Sequence, residues 1–235
     1  MDEPSVFVGI TGFRNDHERF GRMFMTIRAV LFDFDGTLAD SFAAITASVN
    51  HVRQSYGLSD LTESVVREYV GLGLEQLMND LLPNVSVIDA EALYRDHHSG
   101  IMISHTKLFP GVLETLATLQ SRGLKQAICS NKRVEFTKTI AAGLGIAHYF
   151  QEILGPDDVG VPKPDPAMLL ECCRRLGVST FESVYIGDMA VDVHTAKAAG
   201  IPVWLVPGGA TGRENPLDAG PDRMLHSIAD VADLV

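Results

Sequence analysis

Apolar and polar positions follow two different rhythms along the chain. The first sustained signal is Ala29-Val30-Leu31-Phe32, an unbroken apolar run that stops on Asp33 and continues as Phe34-Asp35-Gly36-Thr37-Leu38. Four consecutive apolar residues suit a strand covered on both faces, and Gly36 lets the chain turn away with backbone N–H groups exposed. Helical spacing takes over from there. Asp40-Ser41 can cap a helix whose apolar stripe is Phe42, Ile45, Val49 and Val52, running toward Gly57. Further helical patterns cover 62–70, 74–82 and 88 to about 104, punctuated by Gly71-Leu72-Gly73 and Pro83-Asn84, with no strand-type run between Asp40 and Pro110.

From Phe109-Pro110-Gly111 onward, helix and strand alternate. A helix carries Val112, Leu113, Leu116 and Leu119 and ends at Gly123, and a strand over 126–129 ends on Ser130-Asn131-Lys132. Then come a helix to about 144, a strand over 152–154, a helix over 166–176, and Val184-Tyr185-Ile186 running into Gly187-Asp188. A helix over 189–199 stops at Gly200, and strands over 203–206 and 224–225 precede a terminal helix. This alternation predicts an α/β fold: a parallel sheet with helices on both faces, built from 26–40 and 107–235, with 41–106 inserted as a mostly helical cap. Residues 1–25 show only a short apolar stretch, Val6 to Ile10, without sustained periodicity. They read as an N-terminal extension, loosely ordered or the product of an over-long reading frame that ends near Met23 and Met25.

Composition narrows the role more than the fold. In 235 residues, 46% hydrophobic content is ample for a packed core, as one large domain or two small ones. Against 30 Asp and Glu stand 19 Lys and Arg, a formal charge of -11, which disfavours nucleic acid or an anionic membrane as the main partner. A phosphate-bearing substrate would need locally arranged positive charge. Cys129, Cys172 and Cys173 have neither metal-ligand spacing nor a disulfide framework, which fits a reducing compartment. With no run of 18 apolar residues and an acidic start, Met1-Asp2-Glu3, the expectation is a soluble cytoplasmic protein. The sequence leaves its oligomeric state open.

Chemistry concentrates where strands end. Asp33 and Asp35 cannot cheaply ionise together in a partly buried site, so they share a proton or hold a cation. An oxygen-rich site beside phosphate favours Mg²⁺, leaving Asp33 able to attack phosphorus. Alone, the pair also fits an Asp-rich turn with a helix cap. Ser130 offers a hydroxyl and Asn131 a backbone N–H at a helix start, both able to hold phosphate oxygens, although the two would equally make a helix cap. Lys163, in Val161-Pro162-Lys163-Pro164-Asp165-Pro166, is bracketed by prolines that can aim one ammonium group; the plain alternative is a solvated surface lysine. Asp188 and Asp192 are spaced i, i+4, on one helical face near its N-terminus, where the helix dipole would explain either alone. Cys129, His97, His98, His148 and His194 carry no role in this reading.

Phe-Asp-Phe-Asp-Gly-Thr-Leu-Ala-Asp, at 32–40, resembles the first motif of the haloacid dehalogenase-like superfamily. Ser130 resembles its second motif, Lys163 its third and Gly187-Asp188 to Asp192 its fourth, so that the likeness spans roughly 27 to 232. It implies a Rossmann-like core, an aspartyl-phosphate on Asp33, and Mg²⁺ held by Asp33, the backbone carbonyl of Asp35 and Asp188. The Asp35 side chain is then free for proton transfer. Thr37, Ser130, Asn131 and Lys163 would bind phosphate, and Asp192 would orient the site or pair with Lys163. Gly71-Leu72-Gly73 resembles the cap turn of phosphoglycolate phosphatases, making Gly71 and Gly73 candidates for contact with a small phosphorylated metabolite. The implied activity is a Mg²⁺-dependent phosphatase similar to those enzymes. Alternatives are a sugar-phosphate phosphatase, a phosphomutase or a non-catalytic phosphate-ligand sensor. No lysine occurs between Ser41 and Thr106, which removes the Schiff-base lysine of phosphonoacetaldehyde hydrolases and weakens the mutase reading. Asp35 and Gly36-Thr37 disfavour a dehalogenase.

Overall fold

The centre of the sheet is β1 (Ala29–Phe32), whose four side chains are all apolar and inaccessible. Side chains alternate across a strand, so Val30 and Phe32 enter the core on one face while Ala29 and Leu31 enter that on the other. This is a computed structural model describing residues 26–207, 212 and 214–235; the expectation for residues 1–25 lies outside the described residues. Beside β1 run β4 (Lys125–Cys129) and β6 (Ser183–Gly187), both parallel to it, with Phe32 level with Ile128 and Ile186. Outside them lie β5 (Glu152–Leu154) on one side and β7 (Val203–Leu205) and β8 (Arg223–Met224) on the other. The order is β5-β4-β1-β6-β7-β8, with every pair parallel, as the alternating pattern predicts.

On one face, α5 (Val112–Ser121), α6 (Val134–Gly143) and α10 (Asp230–Leu234) bury Leu116, Leu119, Ile140 and Val231. On the other face, α8 (Ala167–Leu176) contributes Leu169 and Cys172 and α9 (Ala190–Ala199) contributes Val193 and Ala196, with the short α7 (Pro156–Val159) leading into α8. Strand order reverses at β1: the chain adds β4 and β5 to one side, then crosses to β6. Open α/β sheets bind ligands beyond the carboxyl ends of their strands at such a reversal. Asp33, Ser130 and Asp188 directly follow β1, β4 and β6.

Between β1 and α5, the chain leaves the sheet on β2 (Ala39–Asp40), forms α1 (Phe42–Ser55), α2 (Glu63–Arg67), α3 (Leu74–Leu81) and α4 (Val87–Ile101), and returns on β3 (Lys107–Leu108). β2 and β3 pair antiparallel, Ala39 with Leu108 and Asp40 with Lys107. This corrects the expectation of no strand between Asp40 and Pro110: two residues are too few to show alternation, and their partners are far apart in sequence. The helix expected over 62–70 ends at Arg67, giving way to turns that reach Gly71 at φ 119°. Ser41 precedes α1 without a capping bond; its hydroxyl donates to Asp35 instead.

Candidate active site

Asp33 is almost wholly buried at the end of β1, its N–H donating to Ile186 O at 2.8 Å. The Lys163 ammonium lies 2.9 Å from Asp33 Oδ1, but its aligned hydrogen bonds go to Asp192 Oδ1 at 2.7 Å and Tyr185 Oη at 3.0 Å. Asp33 Oδ1 therefore remains a buried oxygen with no aligned donor. Burial pushes the Asp33 carboxyl up to about 6, with Lys163 opposing the shift and Asp192 reinforcing it. Burial works against the Lys163 ammonium too, yet Asp192 and Asp33 outweigh it and hold its pKa above the usual lysine range.

Asp192 is the third residue of α9, and both its oxygens are engaged. Oδ2 accepts the N–H groups of Asp188 at 3.1 Å and Met189 at 3.0 Å, capping the helix, while Oδ1 takes Lys163 and lies 3.2 Å from Tyr185 Oη. A Cβ on Gly187 would come within 2.5 Å of Asp192, so only glycine permits this approach. The placement of Asp188 on a helical face with Asp192 is corrected: Asp188 sits in the turn before α9, where Asp192 caps its amide. Thr37, expected to bind phosphate, donates its hydroxyl to Asp188 Oδ1 at 2.9 Å. Gly36, at φ 91°, passes so close that a Cβ would lie 2.2 Å from Asp188 Oδ2.

Asp33, Asp188 and Asp192 each bring a carboxylate oxygen within 4.8 Å of the others in a buried cluster. Since Asp192 is saturated by its own partners, Asp33 and Asp188 are the side chains suited to hold a cation. Asp35 points elsewhere. Ser41 donates to its Oδ1 and Lys132 to its Oδ2 at 3.1 Å, so the side chain expected to be free is paired.

Ser130 and Asn131 lie before α6, which begins at Val134, so neither is its cap. The Asn131 side chain accepts the Lys163 N–H at 2.7 Å and donates to Lys163 O at 3.0 Å and Gly71 O at 2.9 Å. It thereby ties the lysine loop to the cap turn. Ser130 Oγ accepts the Lys132 N–H at 3.4 Å.

The family model for haloacid dehalogenase-like hydrolases matches residues 30–206. The chain belongs to this family. This hydrolase is 34% identical over 206 residues to a plasmid-encoded phosphoglycolate phosphatase of Cupriavidus necator, covering 85% of the present chain and 89% of the relative. With the phosphoglycolate phosphatase of Yersinia pseudotuberculosis it shares 33% identity, covering 88% and 93% of the two chains. A haloacid dehalogenase-like hydrolase from Bacteroides fragilis superposes with a TM-score of 0.81 at 30% identity, over 88% of this chain and all of that one.

In this hydrolase a cavity of about 60 Å³ opens above Asp33 and Asp35. Its floor is Ser130, Asn131 and Lys132; the cap turn with Gly71 and Gly73 borders it, and Ile45, Leu77 and Tyr94 roof it. Sequence reasoning missed four polar residues here: Ser41, Tyr94, Lys132 and Tyr185. Tyr185 Oη donates to Cys129 O at 2.8 Å while accepting from Lys163. A tyrosine inside an otherwise aliphatic strand, two residues before Gly187, was the available sign. Tyr94 stacks on His98 at 4.9 Å between ring centroids, and burial together with the Asp35 charge pushes its phenol up. No helix among the described residues is long and apolar enough to cross a membrane.

Proposed function

We propose that this hydrolase is a Mg²⁺-dependent phosphatase of small phosphate monoesters, phosphoglycolate foremost, acting through an aspartyl-phosphate on Asp33. The observation that carries the reading is Asp33 Oδ1: buried, without an aligned donor, beside Lys163 and at the floor of the cavity. A buried carboxylate oxygen touched by one ammonium and by no aligned hydrogen bond keeps a lone pair for an electrophile or a second cation. The relatives' shared name supports the substrate.

Asp33 attacks phosphorus, forming a new P–O bond as the ester P–O bond breaks, and the departing oxygen takes a proton from Asp35. Asp35 then withdraws a proton from water, which attacks the phosphorus of the acyl phosphate and releases phosphate and the Asp33 carboxylate. Lys163, Ser130 Oγ and the Asn131 N–H hold the phosphoryl oxygens. Thr37 and Asp192 are positioning residues, aiming Asp188 and Lys163. Mg²⁺ would be held by Asp33, Asp188 and the Asp35 backbone carbonyl, the donor set that the saturated Asp192 leaves available. It would supply charge neutralisation among the carboxylates and the phosphate. The cap selects the ester and excludes water, closing about β2 and β3, while the sheet edge performs the chemistry. Three free, buried cysteines suit a reducing cytoplasm.

The test compares kcat/KM for phosphoglycolate, pentose and hexose phosphates, nucleotides and pyrophosphate, with and without metal. Phosphoglycolate should rank first, exhaustively chelated enzyme should be inert, Mg²⁺ should restore turnover and Ca²⁺ should inhibit it. Full activity without metal, or a preference for hexose phosphates, contradicts the proposal.

A further inference from the structure

We propose that Lys132 reads the leaving group: its ammonium, seated over the Asp35 carboxylate, receives a second negative charge on the substrate. The hydrolase thereby selects phosphate esters bearing a carboxylate close to the ester oxygen. This rests on the phosphatase reading above and adds the residue that sets its substrate class.

Two lysines reach the site, and they are not equivalent. Lys163 is enclosed by Asp33, Asp192 and Tyr185, deep at the phosphate position. The Lys132 side chain is 6% exposed, lines the cavity, and has one carboxylate partner, Asp35 Oδ2 at 3.1 Å. An ammonium has three donors, so holding Asp35 leaves two for a ligand. The neighbouring cation, Arg133, also borders the cavity, but its side chain is 37% exposed and lies 3.5 Å from Asp157, whereas Lys132 is buried against Asp35.

The cap supplies no competing charge. Its contribution to the cavity wall is Ile45, Val70, Leu74, Leu77, Tyr94 and the glycine turn. Its arginines bind elsewhere: Arg53 to backbone carbonyls of Ser59 and Leu81, Arg67 to Glu63 and Asp40, and Arg95 to Glu91. Behind Tyr94, burial and the nearby Lys132 charge keep the His98 imidazole neutral, pushed down to about 3. A carboxylate held against this apolar cap wall would be poorly paired without a cation, because an unpaired buried charge is strongly disfavoured. Lys132 is the buried cation beside Asp35, in reach of the atoms that leave. Its place directly after Ser130 and Asn131 puts phosphate recognition and leaving-group recognition on a single loop.

The experiment measures kcat and KM of wild type, Lys132→Gln and Lys132→Arg on phosphoglycolate and on ethyl phosphate, a neutral ester of similar length, with Mg²⁺ present. Lys132→Gln should lose about tenfold or more in kcat/KM on phosphoglycolate, mainly through KM, since a charge-assisted hydrogen bond is removed. The loss on ethyl phosphate, which reports only the Lys132–Asp35 pair, should be at least about fivefold smaller, and Lys132→Arg should recover most of the phosphoglycolate loss. Thermal melting of each variant shows that it is folded. An equal loss on both esters would mean that Lys132 acts only by holding Asp35, and an unchanged phosphoglycolate rate would remove it from recognition; either result overturns the proposal. Wild-type enzyme that cleaves neither ester counts instead against the phosphatase reading itself.

Discussion

Replacing Asp192 with Asn removes one charge and changes almost no volume, yet the structure leaves the amide no acceptable orientation. With its oxygen toward Lys163, the NH₂ group meets the N–H groups of Asp188 and Met189, which Oδ2 now accepts at 3.1 and 3.0 Å. Flipped, the NH₂ group meets the Lys163 ammonium 2.7 Å from the present oxygen. Either way donors oppose donors, and a lysine whose side chain is 1% exposed loses its best partner. Removing one member of a buried pair costs about 3–5 kcal/mol. For a chain of this size that is roughly a 6–20 °C fall in Tm, at about 2–4 °C per kcal/mol. Turnover should suffer separately, because Lys163 falls back onto Asp33 and the turn holding Asp188 loses its cap; misplacement by about 1 Å is enough for a loss of the order of 100-fold. Thermal or urea unfolding and steady-state kinetics with Mg²⁺ measure both effects. A variant melting within about 2 °C of wild type and retaining normal kcat would refute the argument that Asp192 organises the site.

Two further outcomes follow from buried geometry. The His98 imidazole, bonded through Nδ1 to Ser48 Oγ at 3.0 Å, is held neutral down to about 3 against an ordinary 6.5. The unfolded chain therefore binds a proton that the folded chain refuses, and stability falls as pH drops below about 6.5. Between pH 7.5 and 5 this group accounts for about 2 kcal/mol, so the stability advantage of wild type over His98→Gln should shrink by that amount; a gap independent of pH contradicts it. Gly36→Ala forces a Cβ to 2.2 Å from Asp188 Oδ2 at φ 91°. Its Mg²⁺ affinity should drop at least tenfold by isothermal titration, at a stability cost of about 1–2 kcal/mol; unchanged metal binding would mean that Gly36 does not make room for Asp188.

What was legible in the chain follows from how local each signal is. β1 declares itself because a strand buried on both faces must be apolar throughout, and Asp33 and Asp35 stand out because they end it. The parallel sheet follows from strand-helix alternation, a pattern repeated over more than a hundred residues. The pairing of β2 with β3 was invisible, as each is two residues long and its partner lies across the whole cap. Asp188 and Asp192 have helical spacing, but spacing alone does not distinguish a residue on the helix from one in the turn that the helix caps. The side-chain clamp of Asn131 joins Lys163 and Gly71, 32 and 60 positions away, and no local pattern encodes that distance. Lys132 was adjacent to two recognised residues, but its pairing with Asp35 exists only once β1 and β4 lie side by side.

Turnover through Asp33 as nucleophile passes through its phosphorylated form, and trapping that form is the most direct measurement. Enzyme mixed with phosphoglycolate and Mg²⁺ is acid-quenched over a time course, digested and analysed by mass spectrometry. Asp35→Asn is run in parallel to slow hydrolysis of the intermediate. The expected result is one phosphoryl group on the peptide containing Asp33, appearing before steady-state product, persisting longer in Asp35→Asn and absent from an inactive Asp33→Asn. Sustained turnover with no phosphoryl group on that peptide at any time, together with substantial activity in Asp33→Asn, would contradict it.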